Sequence, residues 1–270
     1  MQKPLSYQGE TIIIEQVVHC RVQGKGPDLV LLHGWGVNSA VWTPVLEQLS
    51  AHFRVHLIDL PGFGSSQGLL SYSLDSMVDN IIQRVPEQSI WCGWSLGGLI
   101  ASHASYIYPN KIAKLIQVCT SPKFVSDHSW PGVDAAVFEN FKRGLAKNTD
   151  KTLGRFISIQ AMGCGTARKD TLTLKKLLTD TPRASLLALN EGLELLNNSD
   201  LRKEFSQISI PCLSIFGQFD SFLPTDTSAA MQQLLPSSRQ EVFVNSSHAP
   251  FISETDKFVA SIIGFSSSKN

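Results

Sequence analysis

The stretch Gly93-Trp94-Ser95-Leu96-Gly97 fits the pattern G-x-S-x-G, in which a serine at a sharp strand-to-helix turn presents its hydroxyl for nucleophilic attack. The pattern alone carries little weight, because small residues recur by chance. Its setting adds to it: the run 89–92 is strand-like and apolar, and Gly97-Gly98 opens a helical pattern. Glycines two residues either side of the serine relieve crowding at a strained turn. The free N–H groups at the start of the following helix would face the site and favour a developing negative charge.

A serine hydroxyl is a weak nucleophile near neutral pH and needs a base, itself oriented by an acid. On an α/β sheet these partners come from the C-terminal ends of strands, in the chain order Ser, Asp, His. Asp220 follows the apolar run 210–217, and His248 lies in Asn245-Ser246-Ser247-His248-Ala249-Pro250 after the run 241–244. Asp226 falls inside a helical pattern, and His19, His52, His56, His103 and His128 all come too early in the chain. The oxyanion of acyl transfer needs two fixed N–H donors. Leu96, the residue after the serine, supplies one; Trp35, in the loop His33-Gly34-Trp35-Gly36, supplies the other. His33 is expected to brace that loop by hydrogen bonding rather than act as a base.

These residues must be positioned by a framework, and the chain reads as one. Strand-like runs are expected at 11–22 and 28–33 around Gly24-Lys25-Gly26-Pro27, then at 53–59, 89–93, 112–120, 210–217 and 241–244. Helical patterns fall at 74–85, 96–104, 225–235 and 254–264. Strand alternating with helix implies a mostly parallel sheet flanked by helices, an α/β fold. Between about 122 and 200 the alternation stops. Only helical patterns occur there, broken at Pro131-Gly132, Gly163-Cys164-Gly165 and Pro182. That segment reads as an all-helical lid at 122–200, inserted between core portions 1–121 and 201–270.

Composition sets outer limits. The chain has 270 residues, 43% hydrophobic and 17% charged, with zero formal net charge. That is a globular balance, and it argues against a nucleic-acid binder. The longest apolar runs, such as 29–32, are too short to cross a bilayer, and the N-terminal residues show no apolar leader core. Five cysteines without any C-x-x-C spacing argue against disulfides and zinc, and so for a reducing, cytoplasmic compartment. No metal or cofactor is expected, and the expected state is a monomer.

Four stretches together resemble the α/β-hydrolase superfamily: His33-Gly34-Trp35-Gly36, Asp59-Leu60-Pro61-Gly62-Phe63-Gly64-Ser65-Ser66, Gly93-Trp94-Ser95-Leu96-Gly97-Gly98-Leu99 and His248-Ala249-Pro250-Phe251-Ile252-Ser253. More narrowly, Trp91-Cys92-Gly93-Trp94-Ser95-Leu96-Gly97-Gly98 and Gln160-Ala161-Met162-Gly163 resemble the pimeloyl-[acyl-carrier protein] methyl ester esterases of bacterial biotin synthesis. The resemblance covers nearly the whole chain. It implies removal of a methyl group from a pimeloyl chain held on acyl-carrier protein, without a cofactor. It also implies a Ser95-Asp220-His248 triad and an oxyanion hole of Trp35 and Leu96. Substrate would contact Trp35, Ser95, Leu96 and His248 together with Phe156 and Gln160, the last two falling where the family's lid lines the acyl channel. No function carries over to the first 25 or so residues, which exceed the family's usual start.

An acyl-carrier protein is a small acidic bundle, so a basic surface is expected despite the neutral total. Residues 142–183 hold ten basic and three acidic side chains, a local excess of seven. Lys147, Lys151 and Arg155 are spaced by four, as on one helix face, and Arg168, Lys175 and Lys176 would form a second edge. A merely solvated surface is the alternative. Other reactions on the same triad also remain open: a carboxylesterase for small free esters, a thioesterase or a C–C hydrolase. Dehalogenase and epoxide-hydrolase relatives of the fold are disfavoured, because they carry a carboxylate where Ser95 stands. A non-catalytic binding protein would usually have lost a triad member.

Overall fold

The computed structural model describes residues 17–268 and, before them, two short strands, β1 (Ser6–Tyr7) and β2 (Glu10–Thr11), paired antiparallel. Seven strands form the main sheet: β3 (Cys20–Gln23), β4 (Asp28–Leu32), β5 (Arg54–Ile58), β6 (Ser89–Trp94), β7 (Ile112–Val118), β8 (Cys212–Gly217) and β9 (Arg239–Phe243). Their order is β3-β5-β4-β6-β7-β8-β9, and only β3 runs antiparallel to its neighbour. Every residue of β6 and of β8 is buried, as expected for strands covered by helices on both faces. The edge strand β9 instead carries Arg239, Gln240 and Glu241, polar residues that discourage pairing with another chain.

The expected strand 11–22 is much shorter. Pairing begins at Cys20 because the carbonyls of Val17, Val18 and His19 accept from Gln67 N, Arg84 Nε and Asp59 N. The run Ile12-Ile13-Ile14 lies outside the described residues.

Helices fall into two layers around the sheet. A 3-10 turn at Ser39–Trp42, capped by the Asn38 side chain, leads into α1 (Thr43–Ser50). Then come α2 (Leu74–Ile82), started by a reciprocal Ser73/Ser76 capping box, and α3 (Leu96–Ile107). Between β7 and β8 stand α4 (Ala135–Lys147), α5 (Thr149–Gln160), α6 (Ala167–Leu178), α7 (Leu186–Asn198) and α8 (Arg202–Phe205). The remaining helices are α9 (Asp226–Leu234), α10 (Pro250–Ser253) and α11 (Thr255–Ser267). α1 packs with α10 and α11, whereas α2 packs with α3, and α3 also meets α7 and α8. No helix among the described residues is long and apolar enough to cross a membrane.

The helical insert contains two isolated bridges, Val125 with Val133 and Asp127 with Trp130, and no longer strand among the described residues. Its two crossings are tied together. Leu201 N donates to Pro122 O, Lys123 pairs with Asp127 and Asp200, and Arg202 pairs with both acids while its guanidinium sits 5.7 Å from the Trp130 ring.

Four tryptophans (Trp35, Trp42, Trp91 and Trp94) are fully buried around β4 and β6, each burial contributing about 4–6 kcal/mol at the usual area coefficient. Gly217 ends β8 where the next loop crosses it. A Cβ there would lie 1.8 Å from the Ser247 carbonyl oxygen. Gly217→Ala should therefore cost about 2–4 kcal/mol by strain; a urea midpoint within error of the parent would contradict this packing.

Candidate active site

Ser95 stands between β6 and α3 at φ 54°, ψ −117°, a left-handed backbone region that non-glycine residues rarely adopt. Its neighbours hold it there. Ser95 N donates to Val118 O at 3.0 Å, and Ser95 O accepts from Thr120 Oγ1 (2.8 Å), Gly98 N and Leu99 N. Gly97 is required by proximity: a Cβ would lie 2.5 Å from the carbonyl oxygens of Leu32 and His33. The end of β4 is thereby brought against the start of α3. Leu96 is the first residue of α3, so its N–H lies outside the helix's own ladder.

Asp220 and His248 meet at the ends of β8 and β9. His248 Nδ1 lies 2.8 Å from Asp220 Oδ2, with the two side chains 1% and 2% exposed. The other oxygen, Oδ1, accepts from the N–H groups of Phe222 (2.8 Å) and Leu223 (3.1 Å), so the carboxylate is oriented by its own turn. With Nδ1–H given to the acid, Nε2 is left as a base. Nε2 is buried and makes no hydrogen bond among the described residues, Ser95 included. A free site commonly tightens this contact only when substrate arrives.

The His248 peptide is fixed from both sides. Its N–H donates to Gln160 O at 2.9 Å and its carbonyl accepts from Trp94 Nε1 at 2.6 Å. The loop before it hangs on Glu254, whose Oε2 accepts from Asn245 N (3.0 Å) and Ser246 Oγ (2.6 Å). Glu254, Thr120 and the Trp94 indole escape sequence reasoning, because nothing in their spacing reports a contact across the fold. The buried Cys119 thiol lies close to Asp220 and His248, within 4.8 Å. Burial, and then the Asp220 charge, push it well above its ordinary range, so it stays neutral beside the pair.

The Trp35 loop approaches from β4. A Cβ on Gly34 would stand 3.2 Å from Ser95 Cβ, and Gly36 has φ 74°, so backbone rather than side chains comes close to the serine. The Trp35 indole donates to Leu189 O of α7 at 2.7 Å and packs edge-on to Phe156 at 4.7 Å. His33 braces the loop as its position suggests. Leu60 N donates to its Nε2 (3.0 Å), which assigns the proton to Nδ1, and Nδ1–H donates to Gly34 O (2.7 Å).

Phe156 and Gln160 are both buried on α5. Phe156 touches Phe222 (5.2 Å), and Phe222 touches the His248 ring (5.0 Å). Beyond Phe222 opens a cavity of about 620 Å³ lined by Val133, Val137, Phe141, Ile159 and Met162, with Lys147, Lys151 and Arg155 also on its wall. The spacing of these three cations suggests one helix, but they lie on two. Asn148 ends α4 and its side chain caps α5 by accepting from Lys151 N. The other expected edge divides. Arg168 and Lys176 line one surface groove with exposed Leu172, while Lys175 lines another with Asp150 and Arg183. Among the described residues none of these six cations has an ion-pair partner, whereas Lys142 pairs with Glu194 and Arg183 with Asp150.

Burial lowers the His33 pKa below the ordinary histidine value, with the Asp59 charge opposing it. The folded state thus takes up this proton less readily than the unfolded chain, and stability is lost as pH falls through about 6.5. The loss should approach at most about 1.4 kcal/mol per pH unit for this one group. His33→Gln should show a shallower fall in urea stability between pH 8 and pH 5.5; an unchanged slope would contradict the neutral brace.

Comparison with known proteins bears on the fold and the family. Residues 27–255 match the family model for the alpha/beta hydrolase fold. A pimeloyl-[acyl-carrier protein] methyl ester esterase of Vibrio vulnificus is 40% identical over 92% of this chain and 97% of its own length. The protein of that name from Citrobacter koseri is 38% identical over 90% and 95%. Among solved structures, an esterase from Exiguobacterium antarcticum superposes with a TM-score of 0.84 at 23% identity, covering 93% of this chain and 96% of that one. An enol-lactonase from Burkholderia xenovorans gives 0.82 at 20% identity over 93% and 96%. At those identities the two structures speak for the fold alone. This chain belongs to the alpha/beta hydrolase fold family and, within it, to the family of the pimeloyl-[acyl-carrier protein] methyl ester esterases.

Proposed function

We propose that this chain is a serine carboxylesterase that hydrolyses the methyl ester of pimeloyl-acyl-carrier protein, releasing methanol, in biotin synthesis. The observation that carries the chemistry is the buried 2.8 Å Asp220–His248 pair beside a serine held in a strained turn. His248 Nε2 takes the Ser95 proton as Ser95 Oγ attacks the ester carbonyl. The N–H groups of Leu96 and Trp35 receive the oxyanion, each donor typically lowering the barrier by about 3 kcal/mol. The tetrahedral intermediate expels methoxide, which takes its proton from His248. Water then releases the acid by the reverse sequence.

The helices 122–200 act as a lid whose inner face shapes the acyl channel. Phe156 and Gln160 line the reacting end, and the 620 Å³ cavity beyond Phe222 takes the rest of the tethered chain. Its apolar wall suits a methylene chain. Lys147, Lys151 and Arg155, uncommitted to any acid among the described residues, suit an acidic carrier waiting outside. Arg168, Lys175 and Lys176 extend the positive field without sharing that wall. The reading places the enzyme in the cytosol as a monomer; its five free cysteines, four of them buried, fit a reducing compartment.

Ser95→Ala should lower turnover of carrier-bound methyl pimelate by on the order of 10⁴-fold or more, and retained turnover would sink the triad. Charge reversal by Lys151→Glu with Arg155→Glu should weaken hydrolysis of the carrier-bound ester about tenfold more than that of free methyl pimelate. The difference should shrink at high salt. Equal losses on both substrates would remove the docking role and favour a broad esterase for small free esters.

A further inference from the structure

Gln160 presents an unusual pairing of burial and polarity. It is 1% exposed, and neither its Oε1 nor its Nε2 has a hydrogen-bond partner among the described residues. A buried amide without partners costs on the order of 1–3 kcal/mol, so its retention at an apolar site calls for a function. The other fully buried polar side-chain atom at the site without a partner, among the described residues, is His248 Nε2. Gln160 is four residues after Phe156 on α5, so both side chains leave the same helix face. Phe156 on that face meets Trp35 and Phe222, and the Gln160 carbonyl itself accepts from His248 N. The backbone of Gln160 thus meets the His248 peptide, and its buried amide leaves α5 on the face whose Phe156 packs on Trp35 and Phe222.

The two halves of ester hydrolysis place different demands on this spot. In acylation the substrate is positioned by its own chain, and His248 needs only Ser95 and the leaving oxygen. In deacylation the nucleophile is a water molecule with no tether. One of its hydrogens goes to His248 Nε2; the other needs an acceptor, and the surrounding Trp35, Trp94, Phe156 and Phe222 rings provide none. Holding a reactant in line removes a large entropic part of the barrier.

We propose that the Gln160 carboxamide holds the water that hydrolyses acyl-Ser95, its Oε1 accepting one water hydrogen while His248 Nε2 takes the other as a proton. The water oxygen bonds to the acyl carbon, and the oxyanion forms under the Trp35 and Leu96 N–H groups. Collapse breaks the bond to Ser95 Oγ, which recovers the proton from His248. Gln160 gains and loses no proton. This assignment rests on the ester-hydrolysis reading above and concerns one step of it.

The test separates the two steps with a short p-nitrophenyl ester and stopped-flow detection of p-nitrophenol. Gln160→Met removes the polar atoms at similar volume and leaves the backbone carbonyl that fixes His248; Gln160→Leu is a second apolar variant with different packing demands. The expected result is an acylation burst within about threefold of the parent, followed by a steady state slowed about tenfold or more. Acyl-Ser95 should accumulate by intact mass, and hydroxylamine, a stronger nucleophile, should restore turnover. Equal slowing of both phases, or no change in either, overturns the role for Gln160. Absence of any acyl-Ser95 in the parent and variants alike would instead overturn the serine-esterase reading itself.

Discussion

Holding a serine in the left-handed half of backbone space costs on the order of 1–3 kcal/mol, and much of the surrounding architecture offsets that cost. Ser95 sits between the last residue of β6 and the first of α3. Four hydrogen bonds grip its peptide, drawn from β7, from Thr120 and from the first turn of α3. Glycine at 97 lets β4 close against the helix start. The parallel sheet supplies the rigidity: β6 is buried along its whole length between β4 and β7. Relaxing the turn would mean breaking all of these contacts together, which is why the strain can persist where a reactive hydroxyl is wanted.

The helical insert is more than a cover over this turn. Through Gln160 O it holds the His248 peptide, and through Leu189 O it holds the Trp35 indole. His248 and the Trp35 loop are thus each pinned by the insert, while Asp220 is pinned by its own turn and Ser95 by the sheet. The cations on the cavity wall lie on α4 and α5, and α5 ends at the residue whose carbonyl meets His248. A partner engaging that wall would act on the helix that holds the His248 peptide.

What the sequence makes legible follows from how local each signal is. Apolar runs reveal β4, β6, β7 and β8 because buried parallel strands need no alternation. Chain order and strand ends single out Ser95, Asp220 and His248 as candidates, and the fold brings the last two into contact. The failures are non-local. The run 11–22 reads as a strand, yet its last residues before Cys20 give their carbonyls to the loop 59–67 and to Arg84. The four-residue spacing of Lys147, Lys151 and Arg155 suggests one helix, but Asn148 caps a new one between them. Glu254 and Thr120 hold functional loops through contacts that no spacing announces.

The central claim is that one hydroxyl, at Ser95, carries the reaction. A fluorophosphonate that phosphonylates activated serines offers the most direct measurement, with the labelled residue located by peptide mass mapping. The expected result is one label per chain, on Ser95, with methyl ester hydrolysis lost in proportion to labelling. Full labelling with hydrolysis intact, or a label on any other residue accompanying the loss, would contradict the account.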